Sequence, residues 1–197
     1  MKEILIASGN DHKVEEISKI MEDFDIKFRN LKEFGDVPEV DENGSTLVEN
    51  SEKKAREYFL FTGIPCIADD TGLFVEALNG EPGVYSARYS GEGATYRSNC
   101  DLLLKNLAGI SNRNAEFRSV ISYFDGNEIL SFEGIVNGAI IETGRGKNGF
   151  GYDPLFIPTG LNKTFAELNE EEKNNISHRK RALEKFRKWW EKRKNNL

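Results

Sequence analysis

Two adjacent carboxylates, Asp69 and Asp70, stand between two apolar runs of the sequence, Ile64 to Ala68 and Leu73 to Leu78. Apolar runs of this length are typical of buried strands, and an ionised carboxylate at the end of a buried strand needs a cation, hydrogen-bond donors or a proton to offset its desolvation. Mg²⁺ takes oxygen ligands, commonly one or two carboxylates together with substrate phosphates. The pair is therefore a candidate metal site for phosphoryl chemistry. The alternative is a turn in which an aspartate caps local backbone and Gly72 adopts a positive φ.

A second polar segment follows the first apolar run of the chain, Ile4 to Ala7. Ser8, Asn10 and Lys13 come next, and apolar residues then recur at helical spacing, which predicts a strand, a tight turn and a helix. The amide groups at the start of such a helix stabilise an anion, and Lys13 adds positive charge. The segment is thus a candidate phosphate site, although it lacks the spacing of a Walker loop. The alternative is that Ser8 or Asn10 caps the helix and Lys13 is solvated, and His12 is expected on the surface.

A glycine-rich stretch, residues 144–154, places Phe150 and Tyr152 among glycines that allow a ligand to approach the backbone closely. Aromatic faces placed in this way commonly stack on nucleobases. The alternative is a mobile surface loop in which Phe150 and Tyr152 pack into the core. The stretch is therefore a candidate base-binding loop.

The remaining periodicity predicts further helices and strands along the chain. Thr46 and Glu49 form a capping box that begins a helix extending to about Thr62, so Glu49 has a structural explanation. The turn Asp125-Gly126-Asn127 joins two β-rich runs, Phe117 to Phe124 and Ile129 to Val136, as a hairpin. Further helices are predicted over Val14 to Phe24, Tyr96 to Leu107 and Glu170 to Lys194, and further short strands at Ile26 to Phe28, Ala139 to Ile141 and Leu155 to Pro158.

The chain has 197 residues, of which 38% are hydrophobic and 30% charged, with a formal net charge of -6. This length suits a single domain, residues 1–197, with one or two lobes. The acidic balance argues against a nucleic-acid duplex as the main partner. No signal peptide and no run of 18 apolar residues is recognised, so a cytoplasmic location without a membrane partner is expected. Cys66 and Cys100 lack metal-ligand spacing, so we expect reduced thiols, with neither a disulfide nor a zinc site.

Six motifs in register give the chain its resemblance to one family. They are Ser8-Gly9-Asn10-x-x-Lys13, Glu42-x-Gly44-x-Thr46-x-x-Glu49-Asn50-x-x-x-Lys54-Ala55, Ala68-Asp69-Asp70-Thr71-Gly72-Leu73, Pro82-Gly83-Val84-Tyr85-Ser86-Ala87-Arg88, Phe150-Gly151-Tyr152-Asp153-Pro154 and Lys173-x-x-x-Ser177-His178-Arg179. Together they resemble the inosine triphosphate pyrophosphatases, also called the Ham1-like or non-canonical purine nucleoside triphosphate pyrophosphatases, over essentially the whole chain. The departures are Ser8, Ser51 and Thr71, where Thr, Ala and Ser are usual, and each keeps size or hydroxyl chemistry.

The resemblance implies an elongated two-lobed α/β fold around a long mixed β-sheet with flanking helices, an active site in the cleft between lobes, and a homodimer. It implies hydrolysis of ITP, dITP and XTP to the monophosphate and pyrophosphate, which removes deaminated purines from the nucleotide pool, with Mg²⁺ as cofactor. By position, Glu42 and Asp70 would bind the metal, and Asp70, supported by Asp69, would orient or deprotonate the attacking water. The implied substrate contacts are Ser8, Gly9, Asn10, Asp11, His12, Lys13, Lys54, Thr71, Phe150, Gly151, Tyr152, Asp153, Lys173, His178 and Arg179, with those from Phe150 onward near the base.

The chemistry of these residues agrees with the implied activity. Lysines, helix N-terminal amides and a divalent cation stabilise the charge that develops on a pyrophosphate leaving group. Donors such as Arg179, His178 or Lys173 accept a base with an oxygen at its 6-position and reject adenine, which has an amino group there. Two alternatives remain. A Maf-like pyrophosphatase acting on modified pyrimidine or other nucleotides would lack the Ser-His-Arg motif, and a nucleotide-binding sensor would need no site for metal and water.

Overall fold

The computed structural model describes residues 2–195, in which helices alternate with strands. The strands are β1 (Lys2–Ile6), β2 (Ile26–Asn30), β3 (Cys66–Val75), β4 (Pro82–Gly83), β5 (Asn114–Phe124), β6 (Ile129–Ile140) and β7 (Phe156–Pro158). The helices are α1 (Asp11–Ile20), α2 (Leu47–Thr62), α3 (Tyr96–Asn106), α4 (Glu170–Ile176) and α5 (His178–Asn195). No helix among these residues is long and apolar enough to cross a membrane.

The strands form a mixed sheet in the order β2-β1-β3-β5-β6-β7, and β4 pairs with β3. Strand β1 runs parallel to β2 and to β3, with Leu5 opposite Cys66. Strands β4 and β7 pair antiparallel with β3 and β6. The predicted α/β class around a mixed sheet is therefore confirmed. The elongated shape and the cleft that the resemblance implies stay predictions.

The described chain divides into two compact units, each assembled from separate segments. Unit 1 contains the residues up to Asp70, Ser119–Gly134 and the chain from Arg179 onward. Unit 2 contains Thr71–Arg118 and Ile135–His178. Because each unit combines segments that are distant in sequence, neither is a contiguous part of the chain. The single domain over residues 1–197 stays a prediction.

Unit 1 has two hydrophobic clusters, and successive residues of its strands alternate between them, as the two-residue period of a strand requires. The first cluster is built from β1, β3, α1 and α5 and includes Ile4, Ile6, Ile67, Ile17 and Leu183. The second is built from the same strands and α2 and includes Leu5, Ala7, Cys66, Ala68, Ala55 and Tyr58. Within unit 1, strand β3 therefore presents Ile67 toward α1 and α5 and presents Cys66 and Ala68 toward α2.

Unit 2 has its own core, in which aromatic rings pack against one another. The rings of Phe117 and Phe156 meet edge to face with centroids 4.8 Å apart, and those of Phe156 and Phe165 are tilted with centroids 5.2 Å apart. All three rings are buried beside Leu73 and Leu103. Aromatic pairs contribute to stability beyond the area that they bury.

The structure differs from the sequence-based prediction at three places. Strand β3 runs continuously through both aspartates, so they lie in mid-strand and not at a strand end, and the alternative of a turn is wrong. Gly72 allows the close approach of β4, since a Cβ there would lie 2.5 Å from the carbonyl oxygen of Gly83. The single helix predicted over Glu170 to Lys194 is broken at Ser177, whose backbone is extended. The separate strand predicted at Ala139 is the end of β6.

Other local predictions are confirmed. The hairpin turn at Gly126 has a φ of 94° and joins β5 to β6. Strand β2 lies at the edge of the sheet, and β7 occupies the short run before Pro158. The capping box at the start of α2 is present, with Thr46 accepting from the backbone N–H of Glu49 and the carboxylate of Glu49 accepting from that of Thr46.

We predict that Thr46→Ala lowers the free energy of unfolding by about 1 kcal/mol, because it leaves a helix N-terminal amide without its acceptor. Thr46→Ser keeps the hydroxyl and should stay close to the parent protein. Urea unfolding followed by circular dichroism measures both. Equal midpoints for the parent and the alanine variant would show that the capping box does not stabilise α2.

Candidate active site

Asp69 and Asp70 are neighbours on β3 whose side chains point to opposite faces of the strand. Asp69 continues the register of Ile67, toward α1 and α5, and Asp70 continues that of Ala68, toward α2. Both are buried, with 1% and 6% of their surface exposed. The pair that looks like one site in the sequence therefore forms two sites with different partners.

The carboxylate of Asp69 is surrounded by donors from α1, β5 and α5. Arg179 donates from Nε to Oδ1 at 3.3 Å and from Nη2 to Oδ2 at 3.1 Å. Lys13 Nζ lies 2.8 Å from Oδ2, and the hydroxyl of Ser119 donates to Oδ1. Burial alone would raise the pKa of Asp69, but the positive charges of Arg179 and Lys13 hold that pKa well below its usual value. Asp69 is therefore ionised at neutral pH, and its oxygens are already engaged.

Arg179 is enclosed between two carboxylates, with 1% of its surface exposed. Its Nη1 pairs with Glu16 of α1, while Nε and Nη2 bind Asp69. Burial would lower the pKa of Arg179, and the two carboxylates raise it instead. The sequence-based hypothesis directed this guanidinium at the base of a substrate, whereas the structure directs it at buried charges that need a cation. Contact with a base stays a prediction and requires these pairs to rearrange.

The carboxylate of Asp70 lies in a second cluster, formed with α2 and the loop before it. Lys54 Nζ is 3.1 Å from Asp70 Oδ1 and 3.0 Å from Glu42 Oε2. It also donates to the backbone carbonyl of Asp69 at 2.9 Å. Asn50 Nδ2 donates to the other oxygen of Asp70 at 3.4 Å. The carboxylates of Glu42 and Asp70 therefore pair with the same ammonium group, so two acids share one cation.

The two acids of this cluster titrate differently. Burial and the adjacent Glu42 together raise the pKa of Asp70 to about 6, against the opposing effects of Lys54 and Lys13. Burial would also raise the pKa of Glu42, but Lys54 and the hydrogen bond with Asp70 lower it overall. Full ionisation of both acids leaves two negative charges against one positive charge in a poorly solvated place. Such a site favours an added cation.

Glu42 and Asp70 fit a magnesium ion better than they fit zinc or calcium. No group of three or more His, Cys, Asp or Glu side chains within residues 2–195 is arranged to hold a metal ion. Mg²⁺ does not require such a group, since it commonly takes one or two carboxylates and completes its octahedron with water and phosphate oxygens. Glu42 and Asp70 would supply those carboxylates, since both already pair with one cation, the Lys54 ammonium. The residues present are therefore suited to Mg²⁺.

The predicted phosphate segment at the start of α1 is partly explained by helix capping. Asn10 is the N-cap, and its side chain accepts from the backbone N–H of Lys13 at 3.4 Å, while Ser8 Oγ accepts from the N–H of Asn10 at 3.2 Å. Lys13 is not a solvated residue, because its ammonium pairs with the strand. The other predicted contacts of this segment, Gly9, Asp11 and His12, are exposed. Phosphate binding here stays a prediction.

The predicted base-binding residues of unit 2 gather around a buried ion pair. Lys173 Nζ lies 2.7 Å from Asp153 Oδ2, and both side chains are buried. The same carboxylate oxygen accepts from the backbone N–H of Phe150 at 2.9 Å, and Lys173 lies over the Phe150 ring at 4.7 Å from its centroid. A Cβ at Gly149 would lie 2.1 Å from Asp153 Oδ2, so this turn requires glycine. The motif is therefore one connected structure with a partly exposed ring.

Two of the predicted base-binding residues, Tyr152 and His178, lie in the core. Tyr152 is 4% exposed and donates from its hydroxyl to the carbonyl of Ser86 at 2.9 Å, so the alternative of a ring packed into the core is correct for this residue. His178 is buried, with its ring stacked on Phe117 at 4.8 Å. Gly151 accepts a hydrogen bond from the thiol of Cys100. Thr71, a further predicted substrate contact, is half-buried on β3.

Sequence reasoning assigned no role to three residues that hold the site together, namely Glu16, Asn50 and Ser119. Glu16 stands three residues after Lys13, a spacing that puts both on one face of α1. Asn50 stands four residues before Lys54, with the same consequence on α2. Ser119 shares its side of β5 with Ile121 and Tyr123, so its hydroxyl had to meet a buried partner. The spacing of these three residues in the sequence could have indicated which face of its helix or strand each one occupies. Their partners, however, are set by the fold.

We predict that Asp70→Asn stabilises the metal-free protein at pH 7 by about 1 to 2 kcal/mol. The folded-state pKa of about 6 lies above the ordinary value of 3.8, so ionisation between those two pH values destabilises the fold. The difference between variant and parent should disappear below about pH 4, where the carboxyl is protonated in both states. Urea unfolding with a chelator at pH 4 and pH 7 measures it. A less stable variant at pH 7 would contradict the account.

We predict that Arg179→Ala destabilises the protein by about 3 to 5 kcal/mol, because it leaves Asp69 and Glu16 as buried, uncompensated charges. Arg187→Ala on the exposed side of the same helix is the matched control. Its ion pair with Glu191 is half-exposed, so this control should cost less than about 1 kcal/mol. Similar unfolding midpoints for the two variants would contradict a structural role for Arg179.

Comparison with known proteins places these features in a family. The profile of the Ham1 family matches residues 4–189. The chain is 52% identical to a dITP/XTP pyrophosphatase of Desulfotalea psychrophila, over 96% of this chain and 89% of that protein. It is 46% identical to one of Thermoanaerobacter pseudethanolicus, over 94% of this chain and 95% of that protein.

Solved structures give the same result. A Ham1 protein of Coxiella burnetii superposes with a TM-score of 0.89 at 43% identity, covering 98% of this chain and 100% of that one. The Ham1 protein of Staphylococcus aureus superposes with a TM-score of 0.88 at 40% identity, with the same coverage. The motifs found in the sequence, the fold and these matches agree, and the chain belongs to the Ham1 family.

Proposed function

We propose that this protein is a Mg²⁺-dependent nucleoside triphosphate pyrophosphatase that hydrolyses ITP, dITP and XTP to the monophosphate and pyrophosphate. The names of its full-length relatives, dITP/XTP pyrophosphatases, support the substrate class. The observation that carries the proposal is the cluster of Glu42, Lys54 and Asp70, in which two carboxylates pair with one ammonium group. A protein that only binds nucleotides has no need of such a site, so a sensor is less well supported.

In this proposal Glu42 and Asp70 hold Mg²⁺, which supplies positive charge to the phosphate oxygens and to the leaving pyrophosphate. Asp70 would also orient the attacking water and accept its proton, a role open to a carboxylate at the metal site. Lys13 and Lys54 add fixed positive charge near the same place. Asp69 takes no part in proton transfer, because its ion pairs keep it ionised and engaged. Its role is to fix Lys13.

For base recognition we propose the partly exposed ring of Phe150 as the stacking surface and Lys173 as the nearby donor. Their contact, 4.7 Å from ammonium to ring centroid, and the pairing of Lys173 with Asp153 support this assignment. An ammonium donor suits the 6-oxygen of hypoxanthine or xanthine and opposes the 6-amino group of adenine. The homodimer and the cytoplasmic location that the sequence suggests stay predictions, and we propose no nucleic-acid or membrane partner.

We predict that the purified protein releases pyrophosphate from ITP, dITP and XTP far faster than from ATP, GTP or dTTP, and only with Mg²⁺. No inosine diphosphate should accumulate, because water attacks the α-phosphorus in one step. In ¹⁸O-labelled water the label should therefore enter the monophosphate. Asp70→Asn, which lacks the proposed base, should turn over at least about 100-fold more slowly.

Three outcomes would contradict this function. Label found in pyrophosphate would place the attack at the β-phosphorus. Hydrolysis of dTTP in preference to ITP would favour the Maf-like alternative. Binding of ITP without any product would favour a sensor.

A further inference from the structure

We propose that Asn50 is a positioning residue for the metal site, where it fixes the separation of the two carboxylates that bind Mg²⁺. The inference rests on the proposed function, since it assigns a task to Asn50 in the same site. Glu42 lies in the loop before α2 and Asp70 lies on β3, so no shared element sets the distance between them. Asn50, on α2, contacts both the loop and the strand.

The two ends of the Asn50 amide are used for different partners. Its Oδ1 accepts from the backbone N–H of Gly44 at 2.8 Å, two residues after Glu42. Its Nδ2 donates to Asp70 Oδ2 at 3.4 Å. The side chain is completely buried, with 0% of its surface exposed. One planar group therefore links the backbone that carries one acid to the carboxylate of the other.

Asn50 and Lys54 act together because residues four apart lie on the same face of a helix. Lys54 binds Oδ1 of Asp70 at 3.1 Å, and Asn50 binds Oδ2. A carboxylate held at both oxygens by one helix cannot rotate freely, so its orientation toward a cation is set in advance. The neutral amide provides this restraint without the repulsion that a second ammonium would exert on a divalent cation. Partners of metal ligands in this position commonly tune metal affinity.

Gly44 supports the same interpretation independently. A Cβ at this position would lie 2.6 Å from Asn50 Oδ1 and 2.8 Å from Glu49 Cβ. Both distances are too short for real contacts, so only glycine allows the loop to approach the amide this closely. The Asn50 amide therefore binds the loop, and the glycine at position 44 leaves the space that this contact requires.

The direct test measures Mn²⁺ binding by isothermal titration calorimetry, because Mn²⁺ takes the same oxygen ligands as Mg²⁺. Asn50→Ala should weaken Mn²⁺ binding by about 10-fold or more. Asn99→Ala is the control. Asn99 is also buried, but it binds only local backbone and Ser90 in unit 2, with Nδ2 donating to the carbonyls of Ser86 and Ala87. Its variant should bind Mn²⁺ like the parent protein.

The Mg²⁺ dependence of the reaction rate is a second measurement, and a simple loss of stability would not change it. In Asn50→Ala the Mg²⁺ concentration giving half-maximal pyrophosphate release from ITP should rise by about 10-fold, in step with the Mn²⁺ affinity. At saturating Mg²⁺ the KM for ITP should stay within about threefold of the parent value, since the nucleotide contacts are not changed. Excess metal should also restore most of kcat.

Gly44→Ala keeps the inference testable if Asn50→Ala does not fold. It leaves the amide in place and moves the loop, so it should weaken Mn²⁺ binding in the same way. Unchanged Mn²⁺ affinity in either folded variant, or equal loss in Asn99→Ala, would overturn the assignment of Asn50. Failure of the parent protein to bind Mn²⁺ and release pyrophosphate would instead overturn the proposed function, so the two failures are distinguishable.

Discussion

The two-residue alternation of β3 is the constraint on which the rest of the site depends. Because Asp69 and Asp70 are consecutive on a strand, their carboxylates face opposite sides and meet different helices. Asp69 meets Lys13 and Arg179, whereas Asp70 meets Lys54. The two acids therefore do not compete for the same cations. The strand separates a structural carboxylate from a reactive one at adjacent positions.

The environments then set the charge of each acid. Both are buried, and burial alone raises the pKa of either. Asp69 receives two cations and a hydroxyl, so it stays ionised and anchors Lys13 and Arg179 in fixed places. Asp70 shares a single ammonium with Glu42, so its pKa stays raised, at about 6. Two aspartates thereby take different roles because their surroundings differ. In the same way a fold can obtain both acid and base chemistry from one residue type.

Much of the fold could be predicted from the sequence, because period, caps and turns are local signals. The capping box at Thr46 and the hairpin at Gly126 follow from neighbours in the chain, and the α/β class follows from the family resemblance. The placement of the aspartates in mid-strand could not be predicted, since Asp-Asp-Thr-Gly also suits a turn and only the folded sheet shows that the strand continues. The partner of Arg179 could not be predicted either, because Asp69 lies 110 residues away and only the folded chain joins them. Local patterns identify reactive residues more reliably than they identify partners.

The central claim is that Glu42 and Asp70 form the cation site while Asp69 does not. The most direct measurement is anomalous diffraction from a crystal soaked in Mn²⁺. The account predicts one strong peak at about 2.2 Å from carboxylate oxygens of Glu42 and Asp70, with the Asp69 carboxylate still bound to Arg179. A peak coordinated by Asp69, or a peak without Glu42 and Asp70 among its ligands, would contradict it.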